Sequence, residues 1–380
     1  RRNDVFYGDK SITAKRSSIN GSIQNLETGS FQTSNVLNYN WSGKGHDVTA
    51  MVGQEYVDRW NRNFKAAASN FPNDDIGLAD LSLGLPTAVQ SAENYDDKLL
   101  SFFARVNYDY DNKYLLSLSI RRDESSKFHK DNRVGYFPSV SAGWNVHQEK
   151  WFQNPVMSKL KIRASYGELG ANFLNPYNFD AIAYGPIPYT VGGERYVTGR
   201  AAYLKSKDLK WETAKTTDIG IELGFFNNDL TLSLDYFVKK NVDLLAQIDL
   251  NLSSGQIFEI NSSREKPYVN TASVKNTGWE FMMNYRKQLT KDFHIDATFN
   301  IATLKNKVLS LGENVQPITS GAMSSYFNDA ASITMPGEAI GSFYGYKIDG
   351  FDAEANFIFA DMDKNGVVNA NDKVILGSPI

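Results

Sequence analysis

Hydrophobic and polar residues alternate along this chain with the period of 2 that a β-strand imposes on its side chains, in arms joined two by two through brief turns. The clearest case runs from Trp211 to Asn241. Ile219, Ile221, Leu223 and Phe225 alternate with Asp218, Gly220, Glu222 and Gly224; beyond Asn227 and Asn228 the apolar set resumes as Leu230, Leu232, Leu234, Tyr236 and Val238. Asn tolerates left-handed backbone, which gives a tight hairpin turn here its mechanism. Each arm has about a dozen residues, against roughly 5–6 for soluble strands and roughly 9–11 for strands that cross a bilayer. One such hairpin fits a soluble sheet packed on a core, and it fits a transmembrane barrel whose apolar face meets lipid.

The same pattern predicts about ten strands between residues 31 and 306. Apolar faces are carried by Leu37–Trp41, Val48–Val52, Leu100–Tyr108, Tyr114–Ile120, Tyr136–Val146, Leu160–Tyr166, the two arms above, Trp279–Tyr285 and Phe293–Ile301. Residues 1 to 30 read as polar loop, 61 to 97 and 170 to 208 as long excursions, and 307 to 340 as a last long loop. Short and long connections alternate throughout. Outer-membrane barrels have this asymmetry, with short periplasmic turns and longer extracellular loops, and a soluble sandwich has no reason for it. Tyr108, Tyr110 and Tyr114 bracket one short turn, Phe225 and Tyr236 lie near another, and Tyr285 and Phe293 flank a third, where a barrel would place an aromatic girdle. We therefore expect an all-β fold, an antiparallel transmembrane β-barrel with long extracellular loops. Arg105, Arg163, Glu222, Asp235, Glu280 and Asp296 belong to its inward polar face.

Composition agrees. Aromatic residues make up 13% of the 380 residues, yet mean hydropathy is -0.40, because only alternate strand positions need be apolar. A net charge of -3 offers no basic field for a phosphate backbone, so nucleic acid is not an expected partner. The absence of cysteine excludes disulfides and thiolate metal sites. No apolar run reaches the roughly 20 residues of a spanning helix. The chain opens at Arg1 within polar sequence, without a Met or an apolar signal segment, and we expect the natural protein to continue beyond both ends.

Four scattered histidines make no catalytic or metal motif, and no phosphate loop, dinucleotide fingerprint or nucleophile elbow occurs, so no enzyme activity is expected. One local motif is sharp. Asp361, Asp363 and Asn365 stand at positions 1, 3 and 5 of a twelve-residue loop, Gly366 at 6, the Val367 carbonyl at 7, Asn369 at 9 and Asp372 at 12. That spacing converges oxygen donors on a hard cation, Ca2+ above all, although Asp372 is a shorter arm than the usual Glu. The alternative is a hydrated, metal-free turn rich in Asx residues. Tyr177, Tyr184, Tyr189, Tyr196 and Tyr203 crowd the 170 to 208 excursion as candidate contacts for a substrate or a partner, or as packing between loops.

Several longer phrases carry a resemblance. YLLSLSIRRDESSKF with GYFPSVSAGW, LKWETAKTTDIGIELGFFNNDLTLSLDYFVKKNVDLL, NTGWEFMMNYR, GSFYGYKIDGFD and DMDKNGVVNANDKVILGSP closely resemble the SusC/RagA-type TonB-linked outer-membrane transporters, in that family's order and from about residue 30 onward. The resemblance implies part of a barrel of about 22 strands holding a plug. It also implies a TonB-dependent importer that works with a SusD-type surface lipoprotein on oligosaccharides or peptides, in an outer membrane. The plug and the TonB-contacting segment are not in this sequence, so none of their residues carries over. Residues 1 to 380 then form a partial barrel domain, with a long loop and the calcium-loop-like segment at 307 to 380. Two other readings stay open on the residues alone, a secreted calcium-stabilised β-rich adhesin or carbohydrate-binding protein, and a transporter-like barrel serving as scaffold of a larger surface assembly.

Overall fold

The computed structural model describes residues 1–75, 77–174, 179, 183–201, 206–247, 268–312, 315–321 and 330–379. Its elements run β1 (Arg2–Tyr7), α1 (Ile12–Ser17), β2 (Asn20–Gly43), β3 (His46–Ser69), β4 (Leu85–Tyr110), β5 (Tyr114–Ser125), β6 (Val134–Asn145), β7 (Met157–Ala171), β8 (Ala183–Val191), β9 (Glu194–Ala201) and β10 (Glu212–Phe225). There follow β11 (Leu230–Gln247), β12 (Tyr268–Gln288), β13 (His294–Ala302), β14 (Lys305–Ser310), β15 (Ile318–Ser320), β16 (Ser332–Thr334), β17 (Ser342–Tyr346), β18 (Ile348–Phe351), β19 (Phe357–Phe359) and β20 (Lys373–Gly377). One antiparallel sheet of 12 strands takes the order β1-β2-β3-β4-β5-β6-β7-β10-β11-β12-β13, with β14 also on β12. From β1 to β13 each strand of this sheet pairs with its neighbours along the chain once the β8–β9 hairpin is passed over, and β14 returns to β12 beyond β13.

Register sorts the two faces. One ladder row joins Trp41, Val48, Tyr108, Leu116, Ala142, Ala164, Ile219, Tyr236 and Trp279 across nine strands. The row of the opposite face joins Asn40, Thr49, Asn107, Ser117, Ser141, Ser165 and Asp218. Among the described residues no protein layer covers the apolar face. Leu37 is 70% exposed, Ile219 56% and Trp279 51%. An apolar face this wide cannot stay in water, and lipid is the solvent that suits it.

The short turns are set by left-handed backbone, at Lys44 and Gly45, at Asp111 and Asn112, and at Phe226, Asn227 and Asn228. Beside them an aromatic chain runs along the rim. Ring centroids are 4.6 Å apart for His46 and Tyr110, 6.4 Å for Tyr110 and Tyr114, 6.4 Å for Tyr114 and Trp144, and 6.4 Å for Trp144 and Trp151. Glu149 fixes its centre, accepting from Tyr114 Oη at 2.6 Å and Trp144 Nε1 at 3.1 Å. This is the girdle expected where strands leave the bilayer on the short-turn side.

On the other side the strands run further than their sequence suggests. The segment expected to be loop at 1–30 contains β1, α1 and the start of β2, and the excursion at 61–97 shrinks to 70–84 because β3 reaches Ser69 and β4 begins at Leu85. Outside the bilayer neither face of these extensions has to be apolar, so they show no alternation although Asn20 to Phe31 pair continuously with Asp58 to Ser69. The last loop is also structured. β15, β16, β17 and β20 form a four-stranded sheet, and β18 and β19 form a separate hairpin. Strands of three to five residues are too short to show a period.

Candidate functional site

The inward face carries a charge network on β7, β10 and β11. Arg163 Nη2 lies 2.7 Å from Asp235 Oδ1, its Nε lies 3.5 Å from Glu222 Oε1, and Lys159 Nζ lies 2.7 Å from Glu222 Oε2. Ser233 Oγ donates to Asp235 Oδ2 at 2.9 Å. The strand period brings these residues to one face, and register places Gly220 between Arg163 and Asp235, where the lack of a side chain leaves room for the pair. Above them a groove of about 550 Å³ is lined by Asn107, Ser117, Ser141, Gly143, Ser165 and Asp218 among others. Small hydroxyl and amide groups backed by fixed charges make a wet wall that a polar solute or a polar protein segment can slide along.

Of the inward residues expected from sequence, Arg163, Glu222 and Asp235 form this network, and Asp296 pairs separately, with Arg286 at 2.8 Å. Arg105 and Glu280 lie on the same face, opposite Met51 and Asp235 respectively. Sequence reading missed a second network nearer the long-loop side. Arg121 Nη2 reaches Glu55 Oε2 at 3.0 Å and Ser101 Oγ at 2.8 Å, and its Nε reaches Asp123 Oδ1 at 2.7 Å. The phrase RRDESS advertised the charges, but a partner 66 residues away could not be read from one sequence.

The mouth has its own apolar core, also missed. Phe128, Phe137, Leu174, Leu209 and Trp211 are buried together, and Trp211 Nε1 donates to the Arg133 carbonyl at 2.9 Å. This cluster ties the 126–133 connection to the segments flanking β8 and β9. Of the five candidate tyrosines, Tyr189 and Tyr196 occupy opposite ladder positions in the backbone of the β8–β9 hairpin, which also contains Tyr184. Tyr196 is exposed and donates to Glu194 at 3.1 Å. Tyr177 and Tyr203, and the side chains of Tyr184 and Tyr189, lie outside the described residues.

The acidic loop lies on the long-loop side as well, because β13 and β14 climb away from the short turn at 289–293 and residues 311–379 follow them. Ligand oxygens of Asp361, Asp363 and Asp372 all lie within 4.8 Å of one another. Asp361 accepts from the Asn365 amide at 3.2 Å and the Gly366 amide at 2.7 Å, with Lys364 and Gly366 in left-handed conformation to make the bend. Asn365 Oδ1 faces the Val367 amide, and Asn369 caps the 3-10 turn Ala370–Asp372 in a capping box. Asp372 is wholly buried and accepts from the amides of Asn369, Met362 and Asp363, which hold its carboxyl below the usual range. The shorter twelfth side chain therefore closes the loop by binding backbone, as Asp361 and Asp363 do through Asn365 and Gly366, and the three carboxylates converge; this donor set fits a hard cation.

Comparison with known proteins agrees with the geometry. The family described as TonB dependent receptor-like, beta-barrel matches residues 2–360. TonB-dependent receptor P3 of Formosa agariphila is 33% identical over 363 residues, covering 91% of this chain and 35% of that protein. TonB-dependent receptor SusC of Bacteroides thetaiotaomicron is 31% identical over 312 residues, covering 76% of this chain and 29% of that protein. The RagAB peptide transporter structure superposes with a TM-score of 0.80 at 23% identity, covering 98% of this chain and 40% of the other. The chain spans about a third of the length of these curated relatives. With a lipid-exposed apolar face, a polar inner wall and a girdle at the short turns, it belongs to the TonB-dependent receptor β-barrel family of the outer membrane, in the SusC/RagA group.

Proposed function

We propose that this chain is barrel wall and extracellular mouth of a TonB-dependent importer that takes up oligosaccharides or peptides together with a SusD-type lipoprotein, driven through the TonB complex. The observation that carries this reading is the back-to-back pairing of a continuous apolar face with a polar, charge-networked one across ten strands, with the connections 70–84 and 172–211, the longest between paired strands up to β11, on one side. The relatives named SusC and the RagAB peptide transporter support the substrate classes and the partner. In this reading the chain binds and conducts without covalent chemistry. The tyrosines of the 170 to 208 segment, Tyr177, Tyr184, Tyr189, Tyr196 and Tyr203, contact substrate or lipoprotein, and the loop Asp361–Asp372 holds Ca2+ to fix the extracellular sheet.

The test is to purify the full-length protein from outer membranes, identify co-purifying chains by mass spectrometry, and measure uptake of labelled oligosaccharides and peptides by cells with and without the gene. A stoichiometric lipoprotein and gene-dependent uptake are expected. Uptake unchanged in the deletion strain would refute import and leave a surface scaffold. For the loop, calcium should protect amides of 361–372 from hydrogen exchange where magnesium does not, and equal exchange with and without calcium would refute the metal.

A further inference from the structure

The lipid-facing side changes character along β10, β11, β12 and β14. Lys215 stands opposite Lys240, Lys240 opposite Lys275, and Lys275 opposite Lys307, in one unbroken ladder row. Ile219, Tyr236 and Trp279 are an even number of residues away on the same strands, so the four lysines project from the same outward face. From Leu230 beside the short turn to Lys240 is about 34 Å of strand, or about 26 Å of height at a tilt of about 40°, against an apolar band about 25 Å tall. The row begins where the band ends on the long-loop side. Lys305 lies one step nearer the band, opposite Thr277.

Like charges directly opposite each other in a ladder repel, with Cβ atoms only about 4.5–5.5 Å apart. Glu168 takes up Lys215 at 3.2 Å, but Lys240, Lys275 and Lys307 have no ion-pair partner among the described residues. Snorkelling accounts for one lysine at a membrane boundary. It does not account for lysine at four adjoining ladder positions, each of which faces another cation. An anion shared between neighbouring ammonium groups removes the repulsion, and the groups that lie at this height beside an outer-membrane barrel are lipid headgroups. We propose that Lys215, Lys240, Lys275 and Lys307 form a binding site for the phosphate groups of phosphorylated lipid in the outer leaflet. The site rests on the membrane orientation of the sheet and is independent of which solute the barrel carries.

The experiment uses the full-length protein, delipidated in mild detergent and reconstituted into phosphatidylcholine vesicles with lipid A or with dephosphorylated lipid A, and reads lipid retained after re-extraction by native mass spectrometry. The wild type should retain lipid A and lose the dephosphorylated form, with retention falling as salt rises. Each lysine near an anionic lipid surface contributes roughly fivefold in affinity, so the triple variant K240Q/K275Q/K307Q should bind on the order of 100-fold more weakly. The charge-preserving variant K240R/K275R/K307R should retain lipid A and controls for loss of fold. Equal retention of the two lipids by the wild type, undiminished retention by the Gln variant, or loss of lipid from a folded Arg variant would each overturn the assignment.

Discussion

Replacing Phe128 by Ala tests whether the extracellular mouth is a built layer or a set of independent loops. Phe128 is wholly buried, its ring 5.3 Å from that of Trp211, which lies 5.5 Å from Phe137. Truncating a buried Phe costs about 3–5 kcal/mol in transfer and cavity terms. The barrel ladders do not depend on this cluster, so the loss should fall on local opening of the mouth. The amides to watch are Ser125, bonded to the Arg133 carbonyl at 3.1 Å, and Asn132, bonded to the His129 carbonyl at 2.9 Å. A loss of about 3 kcal/mol or more corresponds to exchange faster by roughly 10²-fold or more, up to the limit set by local stability. Hydrogen–deuterium exchange of the full-length protein in detergent reads this directly, with the β10–β11 ladder as internal reference. Phe128→Leu keeps most of the volume and should lose about 1 kcal/mol. Unchanged exchange over 125–133, or equal acceleration in the β10–β11 ladder, would refute the separation of mouth from barrel.

Gly278→Ala drives a Cβ into the Thr303 carbonyl oxygen, where β12 receives the break between β13 and β14; a loss of about 1–3 kcal/mol is expected in urea unfolding from detergent, while Gly350→Ala, with open space around it, should stay within about 0.5 kcal/mol. Glu149 is held below the usual carboxyl range by the hydrogen bond from Tyr114 first, then by Trp144 and the Lys113 ammonium. A carboxyl with a lowered folded pKa contributes stability above its ordinary value of about 4.3 and loses it as pH falls through the folded value. Tryptophan fluorescence should therefore show an acid transition below the ordinary carboxyl range that Glu149→Gln lacks; identical titrations would assign the transition elsewhere. Asp372→Asn removes the charge that three backbone amides stabilise, and it should weaken calcium binding to the full-length protein on the order of tenfold or more by calorimetry, with wild-type affinity counting against a role for this carboxylate.

The spanning part of the sheet was legible because the bilayer imposes one rule on every strand that crosses it. Ile219 to Phe225 and Leu230 to Val238 alternate since one side is lipid and the other wet, and the ten expected strands correspond to β2–β7 and β10–β13. Beyond the membrane that constraint stops. Asn20 to Ser30 is strand by virtue of its ladder with Arg59 to Ser69, a pairing fixed by the hairpin below it and not by its own side chains. The charges of the inner wall could be placed by parity, but the partnership of Arg121 with Glu55 depends on the register of three strands. The acidic loop was legible in full spacing, since all its donors fall within twelve residues. What its spacing could not give was the role of Asp372, whose oxygens are turned to the loop's own amides.

The length of the strands bears on how the mouth works. β2 and β3 each have 24 residues, which extend about 80 Å and rise about 60 Å at a tilt of about 40°, more than twice the height of the apolar band. The surplus projects on the long-loop side, where a paired strand is far stiffer than a free loop because its backbone groups are tied in the ladder. The Arg121 network joins β3, β4 and β5 near the level where they leave the membrane, and Lys127 links the next connection to Asp97 on β4 at 3.5 Å. With the Phe128 cluster above them, these contacts fix the positions of the 126–133 and 206–211 segments before anything binds. A surface ordered in advance loses less entropy when it receives a solute or a lid than one that must fold around it. Variation between related chains can then be confined to the segments borne on this frame, such as the β8–β9 hairpin, which among the described strands pairs only within itself.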